Sequence, residues 1–184
     1  MRRFALLCLA VVCAGCSGGD SGSGTIALRG THLETVVTGL HVPWAIVFAP
    51  DNAMYVTERT GTVRVVRGGK LSGTPVYTVP DLVVGSEIGL MGMTLHPKFA
   101  TNHYAYLAYG YRSDAVKVVR YKLESDRLIE DKIILADIPA AMNHAGCQIR
   151  FGPDEKLYIT TGDATMGTIA QDRSEEHTSE LQSR

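Results

Sequence analysis

His144 and Asp163 stand at the two ends of the run His-Ala-Gly-Cys-Gln-Ile-Arg-Phe-Gly-Pro-Asp-Glu-Lys-Leu-Tyr-Ile-Thr-Thr-Gly-Asp. An imidazole titrates near neutral pH, and a carboxylate beside it can orient the ring and stabilise the imidazolium. The pair therefore has the composition of a general base with its supporting acid. To meet, the two residues need an element that returns the chain to its starting end. Residues 147–151 read as one strand, Gly152-Pro153-Asp154-Glu155 as a tight turn, and residues 157–161 as the returning strand. A hairpin of this kind brings its two ends together. Taken singly, each residue has a plainer reading. His144 follows Pro139-Ala140-Ala141-Met142-Asn143 as a loop histidine, and Gly162-Asp163 is a common turn pair whose carboxylate caps its own backbone.

The rest of the chain is a succession of short strands. Alternating or β-branched runs occupy 33–38, 45–48, 54–58, 62–67, 91–95, 104–109, 116–123 and 129–135, and no segment carries a helical apolar stripe. A weak repeat runs through them, in which a strand ends at Pro, a short turn follows, and Tyr opens the next strand. It appears at Pro50 to Tyr55, Pro97 to Tyr104 and Pro153 to Tyr158. The spacing is about that of one four-stranded propeller blade, which predicts an all-β chain with about three blades.

With 45% hydrophobic and 20% charged residues, the composition is that of ordinary globular protein. Setting aside residues 1–16, with Arg2 and Arg3, and 173–184, with two Arg and three Glu, leaves 14 basic against 16 acidic residues. Such a balance gives no support for nucleic-acid binding. Cys147 is the one cysteine of this body, so no disulfide is available within it, and its place at a strand start suits a small buried hydrophobe. No His, Cys or carboxylate cluster has zinc spacing, and no glycine loop has the pattern of a phosphate cradle.

Three motifs in order carry a family resemblance. Gly39-Leu40 with Pro43-Trp44, Pro50-Asp51, Val56-Thr57-Glu58-Arg59 and Gly61 form the first. Glu87-Ile88-Gly89-Leu90-Met91-Gly92 with His96-Pro97 form the second, and the His144 to Asp163 run forms the third. Together, over residues 39–172, they resemble the soluble PQQ-dependent glucose and sorbosone (aldose sugar) dehydrogenases. The resemblance implies a six-bladed β-propeller, of which residues 33–172 are the N-terminal part. It implies oxidation of aldose sugars to lactones, with hydride passing to PQQ, in a protein that dimerises when complete. His144 then takes the place of the general base and Asp163 that of its orienting acid. Glu87 stands where the glucose enzymes have a Gln near substrate and cofactor, which makes it a candidate cofactor-binding residue. Asn143 stands where relatives often carry Asp, and Cys147 where they usually carry Gly. Lys and Arg side chains that hold the tricarboxylate, and the ligands of the family's calcium, are expected mostly from later blades, so this chain by itself is expected to be inactive.

Other residues have structural readings: Glu58 and Arg59 in ion pairs within the sheets, Trp44 packed between blades, His96 at a strand end and His103 in a polar turn. Two other function classes fit the same blades. One is a calcium-dependent propeller lactonase; the other is a non-catalytic propeller that binds sugar or protein.

Both termini stand apart from the fold. Arg2-Arg3, an apolar run over 4–12 and Ala14-Gly15-Cys16 have the pattern of a bacterial lipoprotein signal, with Cys16 as the lipidated residue. Residues 17–32 then form a flexible linker, and the protein is expected to be exported to the periplasm and anchored to a membrane through its lipid. The Gly19-Asp20-Ser21-Gly22 inside the linker imitates a serine nucleophile loop without the strand-turn setting that such a loop needs. Residues 173–184 resemble the translation of a sequencing adapter. Genomic sequence read through the codon for Asp172 is expected to leave this tail and continue into three further blades; genomic codons for 173–184 in place would overturn the adapter reading.

Overall fold

A computed structural model describes residues 34–168; the proposed signal, Cys16, the linker and the tail lie outside the described residues. The described residues are nearly all β. Strands β1 (Pro43–Phe48), β2 (Met54–Glu58), β3 (Thr62–Arg67) and β4 (Lys70–Leu71) form an antiparallel meander. β5 (Tyr77–Thr78) shares the outer edge of β3 with β4, each strand taking one half of it. A four-stranded meander follows in chain order: β6 (Leu90–Leu95), β7 (Tyr104–Arg112), β8 (Ala115–Glu124) and β9 (Arg127–Pro139). The helical turn α1 (Phe99–Asn102) is inserted between β6 and β7, and β10 (Gly146–Phe151) with β11 (Leu157–Thr161) closes the series as a two-stranded hairpin.

The Pro-containing repeat corresponds to the turn of the first hairpin in each sheet. Between β1 and β2, Asn52 adopts φ 65° and its N–H donates to the Ala49 carbonyl at 2.9 Å, while Asp51 Oδ1 accepts from Ala53 N at 3.1 Å. Between β10 and β11 the same parts recur: Glu155 at φ 60°, its N–H on the Gly152 carbonyl at 3.0 Å, and Asp154 Oδ1 on Lys156 N at 3.1 Å. An Asx turn after a Pro is locally encoded. Each sheet also has a register shift at the start of its first strand, between Pro43 and Ala45, Leu90 and Met93, and Gly146 and Gln148.

Two apolar clusters hold the sheets to one another. Ala45, Val47, Tyr55, Val63 and Val65 of the first sheet pack on Leu90, Met93, Leu107, Tyr109, Val119 and Tyr121 of the second. The opposite face of the second sheet gives Met91, Tyr106, Ala108, Val116 and Val118 to a cluster with Ala145, Cys147 and Ile149. Strands β7 and β8 are thus buried on both faces, which explains their nearly continuous apolar and aromatic sequence. The backbones come very close: a Cβ at Gly92 would run into the Cys147 carbonyl. Thr57 Oγ1 donates to the Met91 carbonyl at 2.9 Å, and Arg150 Nη1 to the Met93 carbonyl at 2.7 Å, so β6 is tied to both neighbours.

Four expectations need correction. Residues 34–38 form no strand. Trp44 is 44% exposed rather than packed between sheets, because strand alternation gives Ala45 and Val47 the core face and puts Trp44, Ile46 and Phe48 on the other. Glu58 has an ion pair within its sheet, with Arg64, but Arg59 is held by a backbone carbonyl instead. The buried Glu58 carboxylate accepts from His41 N at 2.6 Å and from Thr62 Oγ1, with Arg64 at 3.7 Å, while Arg59 Nη1 donates to the Gly85 carbonyl at 2.9 Å. Finally, α1 was not visible in the sequence, since one turn carries no periodicity.

His96 stacks against Tyr106 and edges on Phe151 at the outer end of the interface between second sheet and hairpin. Its Nδ1 accepts from Lys98 N at 3.0 Å and faces Asn102 Nδ2 at 2.8 Å, and Asn102 Oδ1 is itself committed to Tyr104 N at 3.0 Å. Two donors aimed at Nδ1 hold the ring neutral. Burial first, and then the Lys98 charge, lower its pKa from the ordinary value of 6.5. The unfolded chain therefore takes up this proton before the folded one does. The contribution of His96 is complete above about pH 6.5 and is lost as the pH falls below it. Urea midpoints measured from pH 8 to pH 5 should drop across that window, and His96→Gln should flatten the drop; an unchanged profile in the variant would remove the assignment to His96.

Candidate active site

His144 lies between β9 and β10, and Asp163 two residues after β11. The ends of the hairpin are drawn together beyond the last register pair, Gly146 with Thr161. Gly162 N donates to the Ala145 carbonyl at 3.2 Å and Ala164 N to the His144 carbonyl at 3.3 Å. A Cβ at Gly162 would collide with the His144 carbonyl, and one at Gly146, whose φ is 64°, with Gly162 N. Glycine at both places is what permits the approach.

The approach puts His144 Nδ1 2.9 Å from Asp163 Oδ1. The same oxygen accepts from Thr165 N at 2.9 Å. Hydrogen bonding from His144 first, and from the Thr165 amide second, holds the Asp163 carboxyl below the ordinary carboxylate range. An ionised carboxylate only accepts, so Nδ1 carries the shared hydrogen and the lone pair of the neutral ring is on Nε2. The His144 side chain is 55% exposed and that of Asp163 29%, so the ring opens towards solvent while its support is largely covered.

Glu87 comes to the same place by a different route. It precedes β6, its N–H donates to the Met142 carbonyl at 2.9 Å, and its Oε2 accepts from His144 N at 2.6 Å. The carboxylate thus meets the backbone of His144 rather than its ring. Asn143 is exposed beside it. Cys147 is buried among Ile88, Met91 and Ile149, and burial pushes its thiol up to about 12, so the side chain faces the core and leaves the rim of the site open. Sequence reasoning missed Ser86, Met142, Gly162 and Thr165, whose roles are backbone and turn contacts without a residue-type signature.

A tricarboxylate such as PQQ needs cationic side chains, and neither charged group bonded to His144 is one. Glu87 and Asp163 are both carboxylates, and on the adjoining loop Arg59 Nη1 donates to the Gly85 carbonyl. Among the described residues no three His, Cys, Asp or Glu side chains are grouped to hold a metal ion. The arrangement is suited to proton transfer at Nε2.

The sequence profile of the Glucose / Sorbosone dehydrogenase family matches residues 40–181. The chain belongs to that family. Quinoprotein glucose dehydrogenase B of Acinetobacter calcoaceticus is 28% identical over 152 residues, which are 74% of this chain and 32% of that protein. A solved oxidoreductase of Thermus thermophilus, assigned as a glucose dehydrogenase, is 38% identical with a TM-score of 0.70 over 76% of this chain and 43% of its own. The PQQ-bound aldose sugar dehydrogenase of Streptomyces coelicolor is 32% identical with a TM-score of 0.69 over 77% and 44%. The fold is that of the glucose/sorbosone dehydrogenase propellers, and the chain spans less than half the length of these relatives.

Gly162→Ala is expected to force the ends of the hairpin apart, lowering the thermal midpoint by several degrees and breaking the His144 to Asp163 contact. Gly73→Ala, with open space around its Cβ, is the control and should leave the midpoint in place. Equal melting of the two variants by calorimetry would contradict the packing described.

Proposed function

We propose that the complete protein oxidises aldose sugars to lactones, with PQQ as electron acceptor and His144 as general base. The observation that carries the reading is the bond from His144 Nδ1–H to the ionised Asp163 at 2.9 Å, which leaves Nε2 as an exposed proton acceptor. Family membership and the PQQ-bound Streptomyces relative support the substrate class and the cofactor. Oxidation of a cyclic aldose at its anomeric carbon removes the proton of the hydroxyl and a hydride from carbon. The residues of this chain serve the first of these. Nε2 takes the hydroxyl proton, the ring becomes imidazolium, and Asp163 stabilises the charge without taking the proton itself. The cation-rich seat of the cofactor falls to residues other than those described, so the 184-residue chain expressed alone is read as inactive.

In the full-length protein His144→Ala should lower turnover by roughly 10²- to 10⁴-fold at saturating sugar and PQQ. Steady-state kinetics with a dye acceptor measures it, and an unimpaired variant would end the assignment.

A further inference from the structure

We infer that Ser86 and Glu87 are positioning residues that hold the His144 base at its working orientation, an inference that rests on the reading of His144 above. His144 is a non-glycine residue in the left-handed region, at φ 54°. That conformation is unfavourable for a residue with a Cβ and persists where surrounding contacts over-determine it. On the hairpin side the backbone of His144 has one long bond, from Ala164 N to its carbonyl at 3.3 Å. The stronger grip comes from residues 85–88, closed into a turn by Gly85 N on the Ile88 carbonyl at 2.9 Å.

This turn holds the chain on both sides of Asn143. The Met142 carbonyl accepts three donors from consecutive residues: Ser86 Oγ at 2.8 Å, Glu87 N at 2.9 Å and Ile88 N at 3.3 Å. Two residues later, His144 N donates to Glu87 Oε2 at 2.6 Å, a charge-assisted bond and hence one of the strong class. Gly85 leaves room for the Met142 side chain, since a Cβ there would meet Met142 Cε at 2.5 Å. Arg59 Nη1 ties the Gly85 carbonyl to the first sheet at 2.9 Å, so the clamp is anchored in the blade stack rather than in the loop it grips.

Glu87 therefore acts through His144. Its Oε2 is engaged by the His144 amide, and a carboxylate at this place would repel an anionic cofactor rather than bind it. A base misplaced by about 1 Å loses on the order of 10²-fold in rate, which sets the scale of what such a clamp protects.

The test uses the full-length holoprotein with its histidines 15N-labelled. Glu87→Ala is expected to lower turnover about 10- to 100-fold with KM changed less than about 2-fold. It should also shift the His144 amide resonance and speed its hydrogen exchange. Glu87→Gln keeps an acceptor oxygen and should restore most of both readouts, and Ser86→Ala should fall between them. Thermal midpoints identify any variant that has simply unfolded, and Ser86→Ala, with the same two readouts, carries the test if Glu87→Ala does so. An unshifted His144 amide in Glu87→Ala, or a rise in KM or in the PQQ dissociation constant with turnover unchanged, overturns the inference, the latter by marking direct contact. If His144→Ala keeps full turnover, the base assignment falls and this inference falls with it. If His144→Ala is inactive while Glu87→Ala keeps both its turnover and its His144 amide, the inference alone falls.

Discussion

Burial of the middle sheet on both faces is the constraint from which the rest of the molecule follows. Tyr109 and Leu107 face one cluster while Tyr106 and Ala108 face the other, and the neighbouring sheets must fit that surface at close range. Gly92, with no room for a Cβ against the Cys147 carbonyl, fixes how near β10 comes to β6. Once the sheets stack this way, the segments leading into β6 and β10 are side by side at one rim. Bonds such as Glu87 N to the Met142 carbonyl become possible only then. A site built of loops thereby inherits the rigidity of a packed core.

At that rim the chain takes conformations that would be unfavourable in isolation. His144, Cys147, Ala164 and Thr165 all have positive φ, and none is glycine. Their clustering around the paired imidazole and carboxylate agrees with the general tendency of strained backbone to collect where geometry matters for chemistry. The strain is offset by short polar contacts: a carboxylate on the His144 amide, another shared between the His144 ring and the Thr165 amide. Asp163 illustrates how one residue meets two demands. It caps its own turn through Thr165 N and orients His144 through the same oxygen, so the plain reading of a Gly-Asp turn and the functional reading are both satisfied by a single geometry.

The site as described is an oriented imidazole with a supporting carboxylate. Proton transfer needs an oriented base and a stabilising anion, and this pair has the composition of both; holding an anionic quinone needs positive charge, and the charged groups bonded to His144 are carboxylates. On the reading proposed above, acid–base chemistry falls to these sheets and cofactor binding to other parts of the family's longer fold.

Much was open to reading from the sequence, for local reasons. The strands over 54–58, 62–67 and 157–161 follow from alternation and β-branching, and the turns at Pro50 and Pro153 from an Asx pair after proline, all interactions within a few residues. The pairing of His144 with Asp163 was foreseeable because a hairpin is itself a local element. Other features depend on contacts between residues far apart in the chain. Trp44 faces outward because Ala45 and Val47 were taken into the core, and Arg59 leaves Glu58 for the Gly85 carbonyl, 26 residues away. Glu87 reaches His144 across 57 residues, and nothing in either residue's type announces it. The sequence by itself thus determined the all-β architecture and which imidazole and carboxylate form a pair, since these rest on periodicity, turn chemistry and side-chain type. Tertiary structure alone decided which carboxylate supports the ring and which grips the backbone, because that depends on how closely packed sheets bring their loops together.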